Sequence, residues 1–456
     1  MYPRATLAAT ILGTSLAFID GSVVNVALPA LAHDLQVDPA ELSWVINAYL
    51  LPLGVLTLLG GTLGDHFGRR LLFQIGLSTF TLASLACAAA PSLAWLLAAR
   101  GLQGVGAALL LPNSLAILGG EFTGEARGRA IGTWAAAGAL AGALGPIVGG
   151  WMVDSLGWRA IFIFNFPIAL GAGYLAWKYV DERKEASLDG PLDAAGAGIA
   201  TVALGLLVWA LTKASEQSDG HSSSWLAALA GLILLGAFVR HEGHLGNRAI
   251  MPLTMFAAPT FVGLTLLTFF LYASLGGLFV LLPYFLIKVE GWRAIAAGAA
   301  LLPVPVLIGL GSRFMGKVAS RYGERMPLSI GSALVGIGFA LYARVDIQSF
   351  NYWADIFPPT VLIALGMGAC VAPLTTSVMS SVDADHVGVA SGFNSAVARI
   401  AGLIATASLG FVFARQGSAA AFITGFRAAV LIGAASAALA GASALLLIAR
   451  RSTPAR

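Results

Sequence analysis

The chain has 456 residues, of which 58% are hydrophobic and 11% are charged, and its formal net charge is only +4. Because soluble globular proteins have about 25% charged residues, this composition excludes a soluble protein. The small excess of positive charge gives no indication of nucleic-acid binding. The apolar residues form continuous runs of roughly 18 to 25, the length at which a helix crosses the hydrocarbon core. Only helices and closed barrels satisfy their backbone in lipid, and these runs do not alternate, so we predict an all-α polytopic membrane protein.

The first apolar run contains Asp20, the only acidic residue near the middle of a span. An ionisable group at that depth is costly and is a functional candidate by default. Burial favours the neutral acid and a nearby cation favours the carboxylate, so a carboxyl group that experiences both can load and release a proton. The alternative is a fixed ion pair that only holds two helices together.

A short charged turn, Gly61–Arg70, lies between the second and third runs. Its glycines let helix ends approach, and its charged residues can meet those of the next cytoplasmic loop, at 121–129. Such a network would close a cytoplasmic entrance when formed, although positive-inside anchoring alone also places arginines here. We assign the following residues to a cytoplasmic gate: Gly61, Asp65, Gly68, Arg69, Arg70, Glu125 and Arg129.

The fourth run contains Arg100, the natural partner of Asp20, and we assign proton coupling to these two residues. Arg100 could instead bind substrate or hydrogen-bond the backbone of the first span. Other polar side chains in the same spans are candidates for the substrate cavity: Asn25, Asn47, Tyr49, Gln103 and Asn113.

The fifth run is rich in glycine around a Gly-Pro pair. Proline inside a helix frees a carbonyl and bends the helix, and flanking glycines allow close packing. The segment is therefore a hinge or a close-contact surface, with generic helix packing as the alternative. The residues concerned are Gly145, Pro146, Gly149 and Gly150.

The charged turn recurs downstream as Gly316–Arg325, and this indicates an internal repeat, which is typical of transporters. The distance between the copies exceeds six spans by room for two more, so we predict fourteen spans. The predicted parts are a six-helix bundle at 1–187, a two-helix linker at 188–250 and a second six-helix bundle at 251–456. Lys and Arg concentrate in loops on one side, which places both termini in the cytoplasm.

A second repeated motif, Gly-x-Gly, pairs Gly104 and Gly106 with Gly366 and Gly368. At that register Leu362 occupies the position of Arg100. The second half therefore lacks this buried arginine, and we expect the ionic machinery to belong to the first half.

These segments together resemble the major facilitator superfamily, and more narrowly its fourteen-span drug:proton antiporters. Gly61–Arg70 resembles the family's loop motif between spans two and three, with His66 where a basic residue is usual. Asp20–Pro29 and Arg100–Gly106 resemble its motifs in spans one and four. In span five, the glycines around Pro146 resemble the antiporter motif.

The resemblance implies two six-helix bundles that rock about a central cavity, with two linker helices between them. It implies export of small amphipathic or hydrophobic compounds, including drugs, in exchange for external protons, with Asp20 and Arg100 coupling protonation to the conformational switch. We expect a monomer in the cell (plasma or inner) membrane, surrounded by lipid, with a small-molecule substrate, the proton as coupling ion, and no cofactor, metal, nucleic acid or enzymatic activity. Two alternatives remain open: a transporter of one specific metabolite or lipid, and a non-transporting membrane receptor or scaffold.

Overall fold

A computed structural model describes residues 3–38, 41–122, 124–182, 193–215, 221–246, 249, 253–346, 348–382, 387–413 and 419–448. The described chain is almost entirely helical, which confirms the predicted all-α fold. The helices are α1 Pro3–Leu35, α2 Leu42–Phe67, α3 Arg69–Ala88, α4 Leu93–Glu121, α5 Gly124–Leu156, α6 Ala160–Ile163, α7 Asn165–Tyr179, α8 Ala194–Ser215, α9 His221–Leu245, α10 Pro259–Lys288, α11 Ala294–Ala299, α12 Pro303–Tyr322, α13 Arg325–Tyr342, α14 Phe357–Ser380, α15 Val387–Ser408, α16 Gly410–Phe413 and α17 Ala419–Leu447.

Twelve helical segments of the described chain are long and apolar enough to cross a membrane. Two shorter apolar stretches, Leu42–Thr57 and Ala195–Leu211, lie within α2 and α8. By length and composition, therefore, the structure supports twelve spans, whereas fourteen were predicted.

The chain divides into two compact units, and neither is one uninterrupted segment. The first unit comprises Met1–Ile250 with Leu282–Ala299, and the second comprises Met251–Leu281 with Ala300–Arg456. In the first unit, α4 packs against α2 and α3, α1 packs against α5 and α7, and α8 pairs with α9 and also contacts α2. In the second unit, α14 packs against α12 and α13, and α13 packs against α17.

The two charged turns have the same backbone design. Gly68 separates α2 from α3 with φ 117°, and Gly323 separates α12 from α13 with φ 87°. L-residues with a side chain rarely adopt such φ values, so a glycine is required to break each helix at this point. The N–H of Gly68 donates to Gly64 O at 2.9 Å, and the N–H of Gly323 donates to Ala319 O at 2.8 Å.

The arginine after each turn also plays the same part in its own unit. Arg70 Nη2 donates to the carbonyl of Trp177 at the end of α7, at 2.7 Å. Arg325 Nη2 donates to the carbonyl of Leu445 near the end of α17. Each arginine thus connects the start of one helix to the C-terminal part of another helix of its unit, α7 in the first unit and α17 in the second, which supports the internal repeat.

Glycine contacts fix the register of this repeat more closely than the sequence did. A Cβ on Gly76 would lie 2.8 Å from the carbonyl oxygen of Gly106, and a Cβ on Gly331 would lie 2.6 Å from that of Gly366. Gly106 therefore corresponds to Gly366, and the pairing of Gly106 with Gly368 was wrong by two residues. The sequence motif alone could not show which helix each glycine faces.

In the corrected register, Thr360 rather than Leu362 occupies the position of Arg100. Thr360 is buried and its hydroxyl lies 2.6 Å from the hydroxyl of Tyr342. A neutral hydroxyl pair therefore stands in the second unit where the first unit has a buried arginine.

Candidate functional site

Asp20 lies in the middle of α1 and is fully buried, with an exposed fraction of 0%. Its Oδ2 atom accepts a hydrogen bond from Arg100 Nη1 on α4, so the predicted pair forms. Its Oδ1 atom accepts from Gln103 Nε2 at 2.8 Å and from Asn165 Nδ2 at 3.4 Å. Both carboxylate oxygens therefore have donors, as a buried charge requires.

Arg100 is buried as completely as Asp20, with an exposed fraction of 1%. Its Nε donates to the carbonyl of Val45 on α2 at 3.1 Å, and its Nη1 also donates to Gln103 Oε1 at 2.8 Å. The guanidinium lies 4.3 Å from the ring centroid of Tyr49, a cation–π contact. Tyr49 in turn donates its hydroxyl to the carbonyl of Ala17, 3.2 Å away on α1.

A further layer of side chains orients the amides around Asp20. Asn165, at the start of α7, also donates to Ser84 Oγ at 3.0 Å, and Ser84 donates to the carbonyl of Phe162 at 2.8 Å. The Cys87 thiol faces Gln103 Oε1 at 3.7 Å. Helices α1 to α4, α6 and α7 thus meet at one polar network inside an apolar bundle.

Sequence reasoning did not identify Asn165 or Ser84 as part of this site. Asn and Ser are ordinary residues of membrane helices, and nothing in their spacing shows that they face Asp20. The same holds for a second buried cluster, in which Thr14 Oγ1 lies 2.8 Å from Ser114 Oγ and Trp134 Nε1 donates to both at 2.9 and 3.0 Å.

The five residues assigned to the substrate cavity are all buried in this structure. Tyr49 and Gln103 belong to the network around Asp20. Asn113 donates to the carbonyls of Gly60 at 2.9 Å and Leu109 at 2.7 Å, and so joins α4 to α2. The two others are Asn25 on α1 and Asn47 on α2. Contact of any of the five with substrate stays a prediction.

The glycines of α5 form close contacts on two sides of the helix. A Cβ on Gly145 would meet Ser22 Oγ and lie 3.2 Å from the carbonyl oxygen of Ile19, and one on Gly149 would meet Val23. Helix α5 can therefore approach α1 only because these positions have no side chain.

On its other side, α5 meets α11. A Cβ on Gly150 would lie 2.5 Å from the carbonyl carbon of Ala294, and one on Gly298 would meet the carbonyl of Pro146. Asp154, one turn after Gly150, accepts from the N–H groups of Ala294 at 3.2 Å and Ile295 at 3.0 Å. A cavity of about 310 Å³ lies beside this contact and is lined by residues of α1, α5 and the segment from Ile287 to Ala294.

The predicted gate turn contacts α7 as well as α4. The carboxylate of Glu182 accepts from the N–H groups of Arg70 at 3.2 Å and Leu71 at 3.1 Å, where an anion stabilises the N-terminus of α3. Arg69 Nη1 donates to the carbonyl of Ala116 on α4 at 3.4 Å. Glu182 is therefore an acid that meets this turn, and the sequence analysis did not single it out.

The other predicted gate residues lie on α2 and near the start of α5. Gly61 lies against Pro112 on α4, with 3.5 Å between its would-be Cβ and the proline Cβ. Arg129 lies on α5 with an exposed side chain. The side chains of Asp65 and Glu125 lie outside the described part of the structure, so their pairing stays a prediction. Among the described residues there is no group of His, Cys, Asp and Glu that could hold a metal ion.

Comparison with known proteins agrees with this fold. The profile of the Major Facilitator Superfamily matches residues 10–406. Multidrug resistance protein Stp of Mycobacterium tuberculosis (strain CDC 1551 / Oshkosh) is 33% identical over 410 residues, which cover 90% of this chain and 75% of that protein. The tetracenomycin C resistance and export protein of Streptomyces glaucescens is 30% identical over 415 residues, covering 91% of this chain and 76% of that protein.

Among solved structures, a bacterial homologue of the human lysosomal transporter Spinster, in an inward-facing and unoccupied conformation, matches 100% of this chain and 99% of its own with a TM-score of 0.67. Its sequence identity is 17%, so this likeness concerns the fold alone. The family profile and the curated relatives span most of the chain. The protein therefore belongs to the major facilitator superfamily.

Proposed function

We propose that this protein is a proton-coupled antiporter that exports small amphipathic or hydrophobic compounds by alternating access. The observation that carries the proposal is the fully buried pair of Asp20 and Arg100, held by Gln103 and Asn165. The named activities of the relatives, multidrug resistance and tetracenomycin C resistance and export, support small-molecule export.

Protonation of Asp20 is the step that would couple the ion to the switch. When the carboxylate becomes neutral, Arg100 loses its counter-charge and keeps only uncharged acceptors, the Val45 carbonyl and Gln103 Oε1. Leaving one charge of a buried pair uncompensated costs about 3–5 kcal/mol. A bias of that size is close to the roughly 5.5 kcal/mol that moves a two-state equilibrium from one conformation almost wholly to the other.

The available driving force matches this step. One proton that moves through about 100 mV supplies about 2.3 kcal/mol, and each pH unit adds about 1.4 kcal/mol. The proton is the only coupling ion that we propose, and no cofactor is needed because the chemistry is binding and release.

We further propose the topology that the sequence predicts, with fourteen spans, a bundle at 1–187, a linker pair at 188–250, a bundle at 251–456, and both termini in the cytoplasm. The two shorter apolar stretches lie in helices of 26 and 22 residues, α2 and α8. Such helices are long enough to cross about 30 Å of hydrocarbon. We expect a monomer in the cell membrane, with the turn at Gly61–Arg70 as the cytoplasmic gate and the glycines of α5 as its hinge.

The test is transport in liposomes with an imposed pH gradient, screened over dyes, biocides and lipids. We expect Asp20→Asn to abolish pH-driven transport, because the amide cannot exchange a proton, and to leave substrate exchange without a gradient intact. The matched control is Asp346→Asn, the same chemical change at an exposed acid outside the network.

Two results would count against the proposal. Undiminished pH-driven transport by Asp20→Asn would remove its role in coupling. Transport of a single metabolite or lipid, with no response to the other compounds in the screen, would favour the specific-transporter alternative.

A further inference from the structure

The buried network around Asp20 contains a polar atom that has no partner among the described groups. Asn165 has an exposed fraction of 0%, and it is the Oδ1 atom of this side chain that makes no hydrogen bond. Its Nδ2 atom donates to Asp20 Oδ1 at 3.4 Å and to Ser84 Oγ at 3.0 Å. A buried carbonyl oxygen without a donor is costly, so its place beside a buried acid calls for a physical reason.

The hydrogen bonds that the Asp20 carboxyl group makes in the described structure all come from donors. Oδ2 accepts from Arg100 Nη1, and Oδ1 accepts from Gln103 Nε2 at 2.8 Å and from Asn165 Nδ2. Donors stabilise the ionised form, whereas the O–H of a neutral acid has to find an acceptor. The arrangement therefore suits the carboxylate, and a proton on Asp20 requires a neighbouring group to turn.

Gln103 is fixed in its orientation by the groups at its oxygen. Its Oε1 atom accepts from Arg100 Nη1 at 2.8 Å and faces the Cys87 thiol at 3.7 Å. Rotation of this amide would bring its NH₂ group against an N–H of the guanidinium, and two donors cannot bond to each other. Gln103 is therefore held as a donor to Asp20.

The amide of Asn165 has more freedom to rotate. The terminal torsion of an asparagine side chain is broad and roughly two-fold, so the oxygen and the nitrogen can exchange places. The exchange gives up a long bond, Nδ2 to Asp20 at 3.4 Å, and directs Oδ1 toward Asp20 and Ser84. The Ser84 hydroxyl, which donates to the carbonyl of Phe162 at 2.8 Å, can then donate to Oδ1 instead.

We propose that Asn165 is the acceptor for the proton on Asp20, and that its amide turns over whenever Asp20 gains or loses that proton. In the ionised state Nδ2 donates to the carboxylate, and in the neutral state Oδ1 accepts from the acid O–H. While bound, the proton stays on Asp20 Oδ1, and only hydrogen bonds are exchanged. This role rests on the proposed proton coupling at Asp20 and adds a positioning residue on α7 to it.

The exchange gives protonation two opposite effects on the attachments of α1. The bond from Asp20 to Arg100 on α4 weakens, because the carboxyl group loses its charge. The bond to Asn165 at the start of α7 strengthens, because a long contact to a donor is replaced by an O–H that donates to a carbonyl oxygen. Protonation thus transfers the hold on α1 from α4 toward α7.

The other titratable side chains of this network belong to α2, α3 and α4. They are Tyr49, whose ring lies 4.3 Å from the guanidinium, the Cys87 thiol, and Arg100 itself. Helix α5 packs against α1 beside Asp20 through its glycines, and the described contacts of α6 and α7 with the network are uncharged. Thiols, phenols and guanidinium groups ordinarily titrate above about pH 8. Below that pH, a titration inside the network therefore belongs to Asp20.

The experiment is infrared difference spectroscopy of the intact protein in nanodiscs of neutral lipid, with pH raised stepwise. The neutral-acid C=O band that wild-type protein shows and Asp20→Asn lacks identifies Asp20, and the pH at which half of it is lost is the readout. We expect Asn165→Leu to move this midpoint down by about one pH unit. The reason is that the neutral acid loses its acceptor, whereas the carboxylate keeps its two other donors.

A matched control makes the same chemical change in the second unit. Asn394 on α15 accepts from the hydroxyl of Thr268 at 2.6 Å and belongs to that unit. Asn394→Leu should leave the midpoint of the Asp20 band where it is in wild-type protein, since it removes an amide outside the network.

The direction of the shift decides between two roles for Asn165. A side chain that only donates to the carboxylate would, when lost, move the midpoint up, so an upward shift or no shift overturns the proposal. Absence of any band that depends on Asp20 would be a different result, because it would remove the proton coupling itself and this role with it.

A second measurement on wild-type protein keeps the test decisive if Asn165→Leu does not fold. Asparagine labelled with ¹³C at the side-chain carbonyl marks the amide bands. We expect a labelled amide band to change in step with the Asp20 acid band, and to be missing from the pH difference spectrum of Asp20→Asn. An Asp20 band that titrates with no change in the labelled amides would also overturn the proposal.

Discussion

At the scale of single residues, Gln103 is the side chain that makes the buried pair possible. Its amide hydrogen-bonds to both charged groups, since Nε2 donates to Asp20 Oδ1 and Oε1 accepts from Arg100 Nη1, each at 2.8 Å. An amide is the group suited to this position because it is both donor and acceptor. Without it, each of these buried charged groups would lose one hydrogen bond.

We predict that Gln103→Met destabilises the protein by about 1–3 kcal/mol, the usual cost of leaving buried polar groups unsatisfied. Methionine keeps the volume, so the effect isolates the lost hydrogen bonds. Thermal unfolding in detergent or nanodiscs measures the change, and pH-driven transport should fall with it. Cys87→Ala is the control, because the thiol makes only a weak contact at 3.7 Å with Gln103, and an equal loss in both variants would contradict the prediction.

At the scale of helices, the glycines of α5 differ in what their missing side chains allow. Gly150 lies against backbone atoms of α11, at 2.5 Å from Ala294 C and Ile295 Cα to a would-be Cβ, and backbone cannot rotate away. Gly132 belongs to the same helix, yet nothing lies within 4 Å of its would-be Cβ. Of these two positions, only Gly150 therefore needs to be a glycine for packing.

We predict that Gly150→Ala separates α5 from α11 and reduces transport at least about tenfold, the effect of roughly 1.4 kcal/mol on the conformational equilibrium. Gly132→Ala should leave transport unchanged and stabilise α5 by up to about 1 kcal/mol through helix propensity. Initial rates in liposomes and thermal unfolding of both variants provide the measurement. Full activity of Gly150→Ala would show that the close contact with α11 has no role in transport.

At the scale of the whole molecule, the two units repeat one backbone design but differ in chemistry. The positive-φ glycines, the arginine bonds to a carbonyl near the end of another helix and the Gly–Gly contacts recur in both units. Among the described residues, the second unit has no buried charged side chain. Thr360 stands at the position of Arg100 and pairs with Tyr342, and Phe339 and Phe426 lie 6.5 and 6.3 Å from Tyr342 between ring centroids. The proposed ion chemistry is therefore confined to the first unit.

The proposed fourteen-span topology predicts that the link between α8 and α9 faces away from the cytoplasm. We expect Ser218→Cys in that link to react with a membrane-impermeant maleimide added to intact cells, and Ser452→Cys near the C-terminus to react only after the cells are opened. The two native cysteines are buried and give little background. Labelling of Ser218→Cys only in opened cells would contradict the fourteen-span topology, because it would place this link on the cytoplasmic side.

The sequence by itself determined the fold class, the membrane location, the repeat of the charged turn and the pair of Asp20 and Arg100. These follow from signals that composition and spacing carry directly, namely long apolar runs, ionisable groups inside them, and glycines that break helices. The family resemblance rests on the same residues, and the family profile confirmed it.

Only the tertiary structure decided which helices meet at the site. Asn165, Ser84 and Glu182 act through contacts with residues more than 75 positions away in the chain. The register of the glycine repeat likewise depends on which faces of neighbouring helices touch. An apolar helix in lipid shows little periodicity, since lipid and protein interior are equally apolar, so its sequence does not reveal which side chains face inward.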